Sequence, residues 1–172
     1  ELFADRPNSR GLDVSDEVTL ASLSDQFRTI AAVQSFPVAD AAPVPNPGDH
    51  RDIVGHVRSM SAAEISDAVG KAARSDWSTI SVDERATCLE RAADALEQDG
   101  EPMLCLIMRE AGKTLPNAIS EIREAVDFLR YYASGARRLF SGPTTLPGPT
   151  GERNRIELRG RGVFACIAPW NF

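Results

Sequence analysis

The chain is poor in the residues that carry most protein chemistry. Three cysteines and two histidines stand in 172 residues. They form no C-x-x-C pair and no histidine pair at ligand spacing, so neither a disulfide framework nor a zinc site is suggested. Cys88 and Cys105 fall at helical apolar positions, and His50 and His56 flank a short strand-like run. No apolar run approaches the roughly 20 residues of a membrane span, and no secretory signal opens the chain, which makes the cytoplasm the default compartment. Cations are outnumbered, with 19 Lys and Arg against 25 Asp and Glu and a net charge of −6. Nucleic acids and anionic membranes require clustered Lys and Arg and are disfavoured as partners. A local arginine excess at Arg137, Arg138, Arg153, Arg155, Arg159 and Arg161 is interrupted by Glu152 and Glu157, and reads as a solvated or subunit-facing stretch.

The most informative run is Gly162-Val163-Phe164-Ala165-Cys166-Ile167-Ala168, followed by Pro169-Trp170-Asn171-Phe172. A continuous apolar run implies burial on both faces, as in the parallel sheet of an α/β fold. Such sheets bind ligands beyond the carboxyl ends of their strands, where Trp170, Asn171 and Phe172 would then project. The Asn171 amide can donate to a developing oxyanion. On these residues alone a structural reading is favoured, in which Pro169 and Asn171 break the strand and the aromatics pack under a further layer. Cys166, mid-strand and without a base, reads as packing. The chain begins at Glu1 without an initiator Met and stops on this strand, so it is read as an internal segment of a longer protein.

Upstream, residues 1–48 read as a connector. Ser15 to Arg28 has helical apolar spacing at Val18, Leu20, Leu23 and Phe27, and Phe36 to Gly48 carries Pro37, Pro43, Pro45 and Pro47, which favour an extended crossing segment. Asp52 to Val57 reads as a short strand. Two capping boxes, Ser61-Ala62-Ala63-Glu64 and Ser81-Val82-Asp83-Glu84, open helices. The second keeps Ala86, Leu89, Ala92, Ala93 and Leu96 on one stripe, with Gly100 as its stop. A third helix starts near Glu101-Pro102 and ends at Gly112.

The fourth helix, Pro116 to Phe140, separates structure from function. Ile119, Ile122, Val126, Leu129, Ala133, Ala136 and Phe140 form its core stripe. On the far side Glu124, Phe128 and Tyr131 stack along one line at i, i+4 and i+7. A carboxylate between two aromatics suggests a pocket wall, and a surface glutamate beside half-buried rings fits the spacing equally. Arg123 with Asp127 reads as a surface pair. Beyond Ser141-Gly142-Pro143, the arms Thr144 to Leu146 and Arg153 to Leu158 read as a β-hairpin, too small to be stable without a partner.

Three motifs in order, Glu110-Ala111-Gly112-Lys113-Thr114, the run from Glu124 to Ala133, and Gly162 to Phe172, resemble the aldehyde dehydrogenase superfamily from about residue 45 onward. The stretch Glu1 to Leu23 is similar to the segment that joins a proline dehydrogenase barrel to the aldehyde dehydrogenase module in bifunctional proline-utilising enzymes. The resemblance implies an α/β fold: 49–140 as the mostly helical N-terminal part of the NAD-binding domain, 141–161 as a hairpin arm for homo-oligomerisation, and 162–172 as the first buried strand, ending before the Rossmann core.

It also implies site roles. Asn171 aligns with the oxyanion-hole asparagine. Ile167, Ala168, Pro169 and Trp170 align with the strand end that touches the cofactor, NAD. Phe172 and Phe128 fall beside the aldehyde, and Glu124 falls where glutamate-semialdehyde-specific members face the substrate ammonium. FAD belongs to the upstream proline-oxidising domain. The family attacks the aldehyde with a cysteine thiolate, passes hydride to NAD+ and hydrolyses the thioester with a glutamate base. The nucleophile, the base and the phosphate-binding turn fall beyond Phe172 in the family pattern, so the 172 residues alone are expected to show neither activity nor measurable NAD+ affinity. A non-catalytic assembly module of the same ancestry, and an aldehyde dehydrogenase of other specificity, stay open as alternatives.

Overall fold

The computed structural model describes residues 3–31 and 39–168. In chain order these form helix α1 (Glu17–Ala31), strands β1 (Ala42–Asn46) and β2 (Asp49–Val57), helix α2 (Ala62–Ala73), a 3-10 turn (Asp76–Thr79), helices α3 (Val82–Gln98), α4 (Gly100–Ala111) and α5 (Leu115–Leu139), and strands β3 (Thr144–Leu146) and β4 (Asn154–Ile156). The helices begin where the sequence signals require. Ser61 and Ser81 each accept from the backbone N–H of the glutamate three residues on, and Glu64 and Glu84 reach back to the serine N–H. Gly100, expected to stop α3, instead opens α4. The stop is Asp99, whose N–H bonds the Ala95 carbonyl.

α3 and α5 pack along their length. Ala86 and Ala93 of α3 and Val126 and Ala133 of α5 are fully buried, small enough to bring the two helix surfaces together. A second cluster joins Leu23 of α1, Leu104 of α4 and Ala118 of α5, with Phe27, Ile107, Met108, Ile119 and Ile122 around them. Helix α1 is therefore part of the core. Within the arginine excess read as solvated or subunit-facing, Arg137 of α5 is partly covered and pairs within the chain: it reaches Asp83 at 2.7 Å and clasps the Glu90 carboxylate.

β1 was not legible as a strand, because Pro43 and Pro45 lie inside it. It pairs antiparallel with β2, with register breaks flanking Pro45, which is how an edge strand tolerates residues that cannot donate. The ribbon leans on α4 through Asp52, whose carboxylate accepts from Arg109 Nε at 3.0 Å and from Asn46 Nδ2 at 3.0 Å. Gly112, in the left-handed region with φ of 65°, ends α4 beneath Pro47. A β-carbon there would lie 3.0 Å from Pro47 Cγ.

The hairpin is present, with Thr144 opposite Ile156 and Leu146 opposite Asn154. The buried strand expected at 162–168 is not. These residues have no ladder partner, and Val163, Phe164 and Ile167 are exposed, Ile167 to 88%. A parallel strand exists only when neighbours take its N–H and C=O groups, and the described residues contain two antiparallel ribbons and no parallel sheet. Cys166 is accordingly exposed rather than packed. Pro169, Trp170, Asn171 and Phe172 lie outside the described residues.

Candidate functional site

The site grows from one face of α5. This helix runs 25 residues, with Pro116 in its first turn where a missing N–H costs nothing. Its period places Glu124, Phe128 and Tyr131 in line, all of them exposed along the side chain's outer edge. Phe128 stacks on Tyr132 at 6.0 Å between ring centroids, and Tyr131 meets Tyr132 edge-on at 5.2 Å.

Residues 3–10 lie along this helix in the opposite direction. Asp5 accepts the Ser134 hydroxyl at 2.5 Å, the Asn8 carbonyl accepts from Arg130 at 3.3 Å, and Ser9 donates both its N–H and its hydroxyl to Asp127, each at 2.8 Å. Asp127 is thus not the surface partner of Arg123 that its spacing suggested. Arg123 instead points its Nε at the Ser9 hydroxyl, 3.3 Å away. The Ser134 hydroxyl also draws the Asp5 carboxyl below its usual range.

Beneath the strap sits a buried cation. Arg130 is 6% exposed and reaches Asp94 at 2.8 Å and Glu97 at 2.9 Å. Burial works to raise the Glu97 carboxyl, but the Arg130 guanidinium and the Arg10 N–H outweigh it and leave it below the usual range. The Glu97 contact in turn raises Arg130 further. The network therefore stays ionised and ties the strap, α3 and α5 into one unit.

The strap and the aromatic line enclose an open cleft of about 260 Å³, lined by Arg6, Glu124, Asp127, Phe128 and Tyr131. Glu124 and Phe128, singled out by spacing, come together in it. Arg6 was missed: no periodicity relates a residue near the N-terminal end of the described chain to a helix more than a hundred positions away. Its guanidinium lies 3.8 Å from the Phe3 ring centroid and 5.2 Å from that of Tyr131. Chemically the cleft offers a carboxylate, a guanidinium and flat apolar walls, which suit a small molecule bearing both charges.

The residues that the family resemblance places beside NAD are only partly described. Ile167 and Ala168 are exposed. Among the described residues no group of three or more His, Cys, Asp and Glu is arranged to hold a metal ion, and no helix is long and apolar enough to cross a membrane.

A model of the aldehyde dehydrogenase family matches residues 37–172. The bifunctional protein PutA of Rhizobium meliloti is 42% identical over 181 residues, covering 99% of this chain and 14% of that protein. The 1-pyrroline-5-carboxylate dehydrogenase 2 of Bacillus subtilis is 34% identical over 129 residues, 74% of this chain and 25% of that one. A crystal structure of bifunctional proline utilization A superposes with a TM-score of 0.69 at 38% identity, covering 94% of this chain and 15% of that chain. The chain therefore spans about one seventh of the length of its PutA relatives.

Proposed function

The chain belongs to the aldehyde dehydrogenase family, and from that premise we propose that it is a segment of an NAD-dependent dehydrogenase that oxidises glutamate semialdehyde to glutamate. The parent protein joins this activity to an FAD-dependent proline dehydrogenase, a reading supported by the likeness to bifunctional proline utilization A proteins, and works in the cytoplasm. The observation that carries the reading is the cleft on α5, where Glu124 stands with Phe128 and Tyr131.

In this reading Glu124 meets the substrate ammonium and Phe128 walls the aliphatic chain. Asn171 donates its amide to the oxygen of the reacting carbonyl, and Phe172 closes the aldehyde side. Ile167, Ala168, Pro169 and Trp170 border NAD, which supplies the hydride acceptor. An ammonium beside a carboxylate in a partly desolvated cleft is a charge-assisted pair, and it separates an amino-acid aldehyde from an uncharged one.

The test is Glu124→Gln in the full-length enzyme. The Michaelis constant for glutamate semialdehyde is expected to rise about tenfold, with that for an uncharged aldehyde unchanged. Equal constants in variant and parent would remove Glu124 from the substrate site.

The hairpin serves assembly. Thr144, Thr145, Leu146 and Ile156 are exposed, and a ribbon of two strands with free edges is marginal without a partner. Deleting 144–156 from the full-length protein is expected to lower its mass in light scattering to that of a smaller assembly. An unchanged mass removes the hairpin from the interface.

A further inference from the structure

We propose that helix α2 is a docking element, whose apolar stripe of Ala62, Ile65, Val69 and Ala72 is covered by the part of the same polypeptide downstream of Phe172. The inference rests on the reading above that the chain is a segment of a longer dehydrogenase, and adds a surface on which that longer protein closes.

Three observations carry it. Among the described residues α2 packs against no other helix or strand, and none of its 12 residues is buried. A helix this short is marginal in water and takes most of its stability from packing one apolar face. That face is well defined: Ala62, Ile65, Val69 and Ala72 recur at i, i+3, i+7 and i+10, and Ile65 and Val69 stand 51% and 52% exposed. The opposite side carries the ion pair of Lys71 with Asp67 at 2.7 Å, both side chains exposed, as suits a solvated face. The uncovered surface also continues along the chain at both ends. Val57 and Met60 before α2 and Trp77 after it are each about half exposed, and Trp77 lines a cavity of about 230 Å³ with Val82, Leu89 and Phe140. Apolar surface gathered in this way marks an interface.

The occupant follows from extent and charge. The family match that includes α2 runs on to Phe172, and the alignment with the 1-pyrroline-5-carboxylate dehydrogenase 2 of Bacillus subtilis covers 25% of that protein, so in this reading the larger part of the dehydrogenase follows. The stripe itself is uncharged and gives a separate partner nothing to steer by. A segment of the same polypeptide needs no steering, because the linkage already holds it at high effective concentration.

The experiment places single thiols on the two faces of α2 in the full-length protein, Val69→Cys on the stripe and Asp67→Cys on the solvated side, and follows maleimide labelling of each by peptide mass spectrometry. Val69→Cys is expected to label about a hundredfold more slowly than Asp67→Cys, since it reacts only when the cover opens. Equal rates overturn the proposal. Val69→p-benzoylphenylalanine, irradiated in the same protein, identifies the neighbour. A cross-link at monomer mass, mapped to a peptide downstream of Phe172, is expected. A cross-linked dimer, or a link mapped upstream of Phe172, overturns the proposal. Should the bulky side chain disturb folding, the labelling ratio is measured again after about a hundredfold dilution, where a cover lent by a second copy is lost by mass action and one within the chain is kept. Activity of the Asp67→Cys protein toward glutamate semialdehyde separates the two ideas. If that activity is absent and the cross-link is found, the functional reading falls and the docking face stands; if the activity is present and the stripe labels freely, the docking face falls alone.

Discussion

Ser9 gives both of its donors to the two carboxylate oxygens of Asp127, at 2.8 Å each, across 118 positions of sequence. The bond pair is the hinge pin of the molecule, because it sets the register of residues 3–10 on α5 and with it the roof of the cleft. Asp127→Ala leaves the N–H and hydroxyl of a serine that is 6% exposed without an acceptor. A loss of about 2–3 kcal/mol in urea unfolding is expected, and a loss below about 0.5 kcal/mol would show that the strap is held by other means.

Arg130 is the second anchor. Its removal strands Glu97, whose side chain is 11% exposed, beside a strap that has lost its carbonyl contact. Arg130→Met is expected to destabilise by about 3–5 kcal/mol. Adding Glu97→Gln to that background recovers part of the loss, since the uncompensated charge goes with it. A double-mutant cycle checks this, and strict additivity of the two changes would contradict a coupled pair.

Acid sensitivity follows from the ribbon. The Arg109 guanidinium, helped by the Asn46 amide, holds the Asp52 carboxyl at about 2. A carboxyl that ionises more readily folded than unfolded stabilises the fold above the unfolded value. That contribution fades as pH falls from about 4 through 2. Replacing Asp52 by Asn is expected to flatten this stretch of the stability profile by about 1–2 kcal/mol, allowing for solvent around a partly exposed pair. Glu64, held at about 2 chiefly by Arg58, titrates in the same window and keeps some slope in the variant. Identical profiles for the two proteins would mean that Asp52 is not held low.

Gly112 combines two constraints, a left-handed backbone and contact with Pro47. Gly112→Ala is expected to cost about 1–2 kcal/mol. In a Pro47→Ala background the steric part is relieved and the backbone part remains, so the penalty shrinks without vanishing. A penalty unaltered by Pro47→Ala, read by thermal unfolding, would assign all of it to φ.

The helices were legible because their signals are local. Ser61 with Glu64, Ser81 with Glu84, and Gly112 each act within one turn, and the structure starts and stops helices at those residues. The line of Glu124, Phe128 and Tyr131 was legible for the same reason, as a consequence of helical period. β1 was hidden by Pro43 and Pro45, whose local meaning, no donor, says nothing about a partner strand that tolerates them. The apolar run at 162–168 misled in the opposite sense: hydrophobicity marks a segment able to be covered, and coverage depends on strands beside it.

Spacing and capping chemistry alone settled which segments of this chain are helical and which face of α5 carries acid and aromatic groups. Only three-dimensional packing decided that Asp127 serves Ser9 rather than Arg123, that Arg130 is buried beneath residues 3–10, and that Arg6 shares a cleft with Glu124. The reason is physical. Helix signals act over a few residues, whereas hydrogen bonds between a connector and a distant helix depend on where the intervening chain returns, and no repeat or spacing in the sequence encodes that distance.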